Sequence, residues 1–213
     1  MTISALRPTR SHTSWSSMDN TLRTLAKGEL VILRHEDRFV LVGCAGTVTT
    51  EQMAFMVRHG TGFVQVALHE RDCDRLGIPE AIPNVRTPSS PAYGQCVAVD
   101  AAAGITTGIS GADRARTARV LADPRSDADD LRRPGHLVPV RVEPQVLCHR
   151  RTAAASALAL TDTVRPDYSG AVFTELDSID DPFRTADVDD AEAFARLHGL
   201  ALTGSARPFE RLY

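Results

Sequence analysis

The stretch Gly104-Ile105-Thr106-Thr107-Gly108-Ile109-Ser110-Gly111-Ala112-Asp113-Arg114-Ala115-Arg116-Thr117 decides how this chain folds. Its first half is a loop of glycines and hydroxyls, and its second half reads as the start of a helix. Ser110 has the oxygen to cap that helix, and Asp113 is spaced to reach back to it as in a capping box. The hydroxyls of Thr106 and Thr107 and the loop's main-chain N–H groups stand beside a positive helix end, a combination suited to an anionic or polyhydroxylated ligand. An ordinary strand-to-helix turn would use the same residues, and spacing alone leaves both readings open.

Outward from this loop, apolar runs predict strands at 30–33, 39–44, 63–68, 95–99, 137–142 and 171–176. Helices are expected at 20–27, 50–59, 70–76, 113–121, 152–160 and 191–198. Thr49 and Gln52 have capping-box spacing, and Met53, Met56 and Val57 make a buried stripe behind them. The segment 79–91, rich in Pro and Ser, and the polar segment 123–135 read as loops. Residues 1–17, rich in Ser, Thr and Arg, read as a flexible tail, and 18–213 as one domain. Strands and helices mix without a strict βαβ period and without an internal repeat. The expectation is an α/β (α+β) fold with three α-β-α layers around a mixed sheet.

A chain of 213 residues with 43% hydrophobic content can bury one good core. Its formal charge of −3 offers nothing to attract nucleic acid or an anionic membrane. No apolar run reaches transmembrane length, and the first residues lack the apolar core of a signal peptide, so a cytoplasmic protein is expected. Cys44, Cys73, Cys96 and Cys148 are widely spaced, and they read as small hydrophobes rather than a zinc site or a disulfide framework.

The run 104–117 resembles the signature of the 3,4-dihydroxy-2-butanone 4-phosphate synthase family of the riboflavin pathway. Ala54-Phe55-Met56-Val57-Arg58-His59-Gly60, Glu70-Arg71-Asp72-Cys73-Asp74-Arg75-Leu76-Gly77-Ile78-Pro79, Arg133-Pro134-Gly135-His136 and Glu192-Ala193-Phe194-Ala195-Arg196-Leu197-His198-Gly199-Leu200 resemble other segments of that family, in the same order. The resemblance runs from about residue 22 to about 204 and implies the family's three-layer fold and a homodimer with sites near the subunit interface. It also implies conversion of ribulose 5-phosphate to formate and a four-carbon phosphate, with magnesium to polarise the hydroxy-ketone and carboxylates to move protons.

At two places the chain departs from that pattern. The family's acidic loop reads Asp-Arg-Glu-x-Glu-Gly-Asp, whereas here Glu36-Asp37-Arg38 runs straight into Phe39-Val40-Leu41-Val42-Gly43, with about three residues missing. The family's helix start reads Gly-His-Thr-Glu-Ala-Ala, whereas here Arg150-Arg151-Thr152-Ala153-Ala154-Ala155 puts Arg151 at the metal-binding His and Ala153 at the Glu. The family's phosphate-binding Arg falls on Cys148, and His149 lies two residues from the His position.

The residues that remain define the candidate site. Glu175, in the apolar run Ala171-Val172-Phe173-Thr174-Glu175-Leu176, matches the family's catalytic Glu and is a candidate acid or base, against the alternative of a solvent-facing strand carboxylate. His136 is a second catalytic candidate, or it holds a tight turn. Thr106, Thr107, Ser110 and Thr152 are candidate oxygen-positioning groups. Arg150 and Arg151 are cations at a helix start, where the dipole disfavours them, which makes sense if they meet an anion. Phe39 and Leu41 line an apolar pocket or belong to the core. His59 reads as a helix-terminal residue, and His35, His69 and His149 as surface residues.

The expectation is therefore a divergent, metal-independent enzyme of specialised metabolism. It would carry out isomerisation, dehydration or cyclisation on a partly apolar small molecule and need no cofactor. One alternative is the family's own lyase reaction, which would bring magnesium with it. The other is a homologue that binds ligand or partner without turnover.

Overall fold

A computed structural model describes residues 15–82, 94–149, 152–181 and 183–204. Seven strands form a mixed sheet: β1 (Val31–His35), β2 (Arg38–Cys44), β3 (Gln65–His69), β4 (Val99–Ala101), β5 (Leu131–Val142), β6 (Ala171–Glu175) and β7 (Ala201–Gly204), in the order β4-β5-β3-β6-β2-β1-β7. β3 runs parallel to β5 and β1 to β7, and the remaining pairs are antiparallel. The helices are α1 (Met18–Ala26), α2 (Thr50–His59), α3 (Glu70–Arg75), α4 (Gly111–Ala122), α5 (Pro144–His149), α6 (Ala153–Val164) and α7 (Val188–His198).

Strand alternation sorts the core into two faces. Ile32, Leu41, Val66 and Val172 point to one side, where Met53 and Met56 of α2, Ala115 and Ala118 of α4 and Phe194 of α7 cover them. Val31, Val40, Val42, Ala67 and Phe173 point to the other, against Leu25 of α1 and Ala154, Ala155 and Leu158 of α6. The small residues of α6 let its backbone lie close to the sheet, and Gly43 does the same within β2, since a Cβ there would come 2.6 Å from Leu30 Cδ2. The expected three-layer α-β-α architecture is what the chain forms.

Local signals account for the helix starts. Thr49 and Gln52 make the expected capping box on α2, and Asp187 and Asp190 make a second one on α7. Several boundaries differ from expectation. β5 begins at Leu131, inside the segment read as loop, because Ala101 and Asp100 pair with Leu131 and Arg132. The strand expected at 95–99 is reduced to isolated bridges at Gln95 and Cys96 before β4. α5, β7 and a 3-10 turn at Ala128–Asp130 carry no strong local pattern and were not anticipated.

Residues 15–17, expected within a flexible tail, are attached to the body. Trp15 Nε1 donates to Glu192 at 3.1 Å, its ring meets Phe39 edge-on at 6.4 Å, and the N–H of Ser16 donates to the Leu202 carbonyl. Residues 1–14 and most of the 79–91 loop lie outside the described residues.

Candidate functional site

The site forms around a short hairpin. His35 of β1 pairs with Arg38 of β2, so only Glu36 and Asp37 connect the strands, and Glu36 takes a positive φ of 53° to close the turn. The deletion inferred from the sequence is thus a two-residue turn where the family's acidic loop was expected. Arg38 projects from the turn's far side, and its Nη1 lies 3.2 Å from Glu175 Oε1.

Strand register shows what shares this end of the sheet. Val40 pairs with Glu175 and Leu41 with Thr174, so β2 starts where β6 ends. Val40 packs in the core on the α6 face, whereas Phe39 and Leu41, 3% and 0% exposed, are buried in the core on the opposite face. Of the two readings for Phe39 and Leu41, the structure shows the core one, and their candidacy as substrate-binding residues is corrected: a period of two turns them to the face opposite Glu175.

α6 completes this end from above. His35 Nδ1 lies 3.1 Å from Ser156 Oγ in its first turns, and His69 Nε2 lies 2.8 Å from Asp162 Oδ2 near its last. The two contacts aim the N-terminus of α6 at the hairpin. Thr152 caps it, accepting from the Ala155 N–H at 3.1 Å. His35 is 8% exposed, not a surface residue, and burial holds its pKa below the ordinary histidine value. Arg150 and Arg151 lie outside the described residues.

On the other side of β3 stands His136. Its N–H donates to Asp100 Oδ1 at 2.9 Å, and its Nδ1 lies 2.8 Å from Asp100 Oδ2. Asp100 is buried and the imidazole half-exposed, so the carboxylate fixes the ring through Nδ1. Gln65 pairs with Phe173 on one side and Val138 on the other. Glu175 and His136 each stand two positions beyond those partners, flanking the entrance to β3 with about 10 Å, two strand spacings, between their backbones.

The signature loop is tied down from within. Ser110 caps α4 as expected, accepting from the Asp113 N–H at 3.1 Å. Asp113 does not reach back to complete a capping box. Its carboxylate instead accepts from the Thr106 N–H at 3.0 Å, the Thr106 hydroxyl at 2.8 Å and the Gly108 N–H at 3.0 Å. These bonds hold its pKa below the usual carboxylate range. The Thr106 hydroxyl is thereby committed as a donor to the protein, while Thr107 is exposed. Gly108, at φ +85°, lies flush on the Asp100–His136 pair: a Cβ there would come 2.1 Å from Asp100 Oδ2 and 2.6 Å from His136 Nδ1.

The structure thus gathers Arg38, Glu175, His35, Ser156 and Thr152 at one end of the sheet on the α6 side. It sets His136, Asp100 and the signature loop beside them across β3. Sequence reasoning missed Asp100, His35 and Ser156. A lone carboxylate in the apolar strand before the signature loop was the available signal for Asp100. Among the described residues, no group of three or more His, Cys, Asp or Glu side chains is placed to hold a metal ion, and no helix is long and apolar enough to cross a membrane.

This architecture is that of the solved 3,4-dihydroxy-2-butanone 4-phosphate synthases. The enzyme from Candida albicans superposes with a TM-score of 0.78 at 32% identity, over 89% of this chain and 94% of that one. A synthase structure in complex with two magnesium ions superposes with a TM-score of 0.79 at 30% identity, over 89% and 93%. Residues 19–206 match the family model for 3,4-dihydroxy-2-butanone 4-phosphate synthase, and the chain belongs to that family. The riboflavin biosynthesis protein RibBA of Rhodococcus jostii is 40% identical over 200 residues, covering 91% of this chain and 47% of that protein. RibBA of Mycobacterium tuberculosis is 39% identical over 196 residues, covering 89% and 45%. The chain spans about half the length of the curated relatives it matches.

Proposed function

We propose that this chain is a small-molecule enzyme in which Glu175, beside Arg38, moves a proton on a hydroxylated, anionic substrate, and that it does not carry out the family's magnesium-dependent release of formate. The observation that carries this reading is the two-residue turn Glu36-Asp37 between paired His35 and Arg38. Magnesium takes about six oxygen ligands in near-octahedral geometry. Among the described residues the carboxylates at this end are a poor match: Glu36 and Asp37 are exposed on the turn, Asp37 lies 3.7 Å from Arg34, and Glu175 already faces a guanidinium. A cation set beside Glu175 would be repelled by Arg38. The donors among the described residues do not suit the metal, and no step is assigned to one.

Within this reading Glu175 takes a proton from carbon or oxygen, and Arg38 steadies the negative charge that develops. His136, held by Asp100, offers its outer nitrogen for transfer at the far side. Thr152, Thr107 and the start of α6 face the oxygens of the substrate, and Arg150 and Arg151 supply positive charge for its anionic end. Isomerisation, dehydration and cyclisation all need only these parts. A homodimer working in the cytoplasm is part of the same proposal.

The relatives favour a second reading, that the chain acts as a 3,4-dihydroxy-2-butanone 4-phosphate synthase in riboflavin biosynthesis. RibBA proteins share about 40% of its residues over nearly its whole length, and that similarity supports the family's own activity better than a repurposed one. The hairpin speaks for the first reading because activity depends on the donor set rather than on overall identity.

Proton abstraction is tested by incubating hydroxyketone phosphates with the protein in deuterated buffer and following exchange of the carbon-bound hydrogen by NMR. The proposal expects exchange without added magnesium, lost in Glu175→Gln. Exchange that needs magnesium, or that persists in Glu175→Gln, would overturn it.

A further inference from the structure

A cleft of about 540 Å³ opens at the end of the sheet away from Glu175. β2 carries the chain between them: its Val40 pairs with Glu175 and its Cys44 with Ala171, a rise of about 13 Å along the strand. Beyond Cys44, the cleft is lined by Gly46 and Tyr168 together with Arg116, Arg119, Asp123 and Arg125. A Cβ on Gly46 would come 2.8 Å from Tyr168 Cβ, so the tyrosine lies directly on the backbone.

The charges in this cleft do not balance. Asp123 is taken up by Arg125 through contacts of 3.0 and 2.9 Å, which push its pKa down to about 2. The other lining carboxylate, Asp130, accepts from the Asp127 N–H at 3.0 Å. Arg119 Nη1 donates to the Val48 carbonyl at 2.6 Å, which fixes the guanidinium without neutralising it. Arg116 makes no hydrogen bond or ion pair with any described residue. Burial and the nearby charge of Arg116 both lower the pKa of Arg119. Three arginines against two aspartates leave the cleft one positive charge in excess, and a bound anion would offset it. Arginine forks match phosphate oxygens in pairs. The volume falls in the range of small-molecule pockets and exceeds what a bare phosphate fills.

We infer that this cleft binds an organic phosphate, with Arg116 and Arg119 on the phosphate and Tyr168 along its organic body. The site is separate from the Glu175 end and stands whether or not the proposed proton-transfer reaction is right.

Calorimetric titration of the full chain with adenosine monophosphate and with inorganic phosphate, at low and raised salt, tests it. The expected result is saturable, salt-sensitive binding of the nucleotide. Arg116→Glu should weaken it at least tenfold with an unchanged unfolding midpoint, and Glu175→Gln should leave it unchanged. Overturning results are no binding of the nucleotide to folded protein, equal binding by Arg116→Glu, or loss of binding in Glu175→Gln, which would place the phosphate at the other end. Inorganic phosphate binding as tightly as the nucleotide would overturn the role given to Tyr168.

Discussion

Arg38 and Glu175 face each other across adjacent antiparallel strands with 3.2 Å between Nη1 and Oε1, at the point where the chain turns through only two residues. Their side chains are 65% and 29% exposed, so the pair is screened by water and contributes at most about 1 kcal/mol to stability. In the proposed reaction the pair places opposite charges where the substrate would meet the end of the sheet. Arg38→Ala should therefore shift the thermal midpoint by no more than about 2–4 °C while reducing solvent exchange into substrate at least tenfold. A large loss of stability with exchange intact would make the pair structural.

Gly108 is the tightest joint of the signature loop. Its positive φ disfavours any side chain, and the atoms that a Cβ would strike, Asp100 Oδ2 and His136 Nδ1, belong to a hydrogen-bonded pair of which only the aspartate is buried. Gly108→Ala should destabilise the protein by about 1–3 kcal/mol and displace the His136 ring. Thermal unfolding measures the first effect, and displaced His136 ring resonances in the NMR spectrum the second.

His35 gives the fold a dependence on pH near neutrality. Burial holds its folded pKa below the ordinary histidine value of 6.5, so the unfolded chain takes up the proton first. Stability from keeping His35 neutral is complete above about pH 6.5 and falls as the pH drops below it. Denaturant midpoints from pH 8 to pH 5 should decline, and His35→Gln should flatten that decline.

Asp113 works at lower pH. Its folded pKa is depressed by the bonds from Thr106 and Gly108, so its contribution is present above the unfolded aspartate value of about 3.9 and disappears as the pH falls through the lower, folded one. Asp113→Asn should destabilise the chain at pH 7 and remove part of the acid sensitivity below pH 4. An acid limb that the substitution leaves unchanged would show that the loop does not depend on this carboxylate.

Local patterns made much of this fold legible. The Thr49–Gln52 box, the Ser110 cap and the apolar runs of β2, β3 and β6 each follow from residues a few positions apart, a layered α/β fold with a mixed sheet follows from their order, and the family resemblance implied its three layers. The short hairpin was also legible, as a deletion before Phe39. What the sequence hid was pairing at a distance. The Asp100–His136 contact joins residues 36 apart and the His35–Ser156 contact residues 121 apart, so His35 passed for a surface residue. Phe39 and Leu41 stood open between pocket and core because polarity does not say which face of a strand meets the site. That depends on register with β6, where one position separates Val40 from Leu41 and one face from the other.

The most direct test of the central claim is formate release from ribulose 5-phosphate, with and without magnesium, measured beside an authentic synthase on protein shown to be folded. The account predicts no formate above the enzyme-free blank under either condition. Magnesium-dependent formate at a rate comparable to the synthase would contradict it and establish that the Glu36-Asp37 turn, short as it is, belongs to a working 3,4-dihydroxy-2-butanone 4-phosphate synthase.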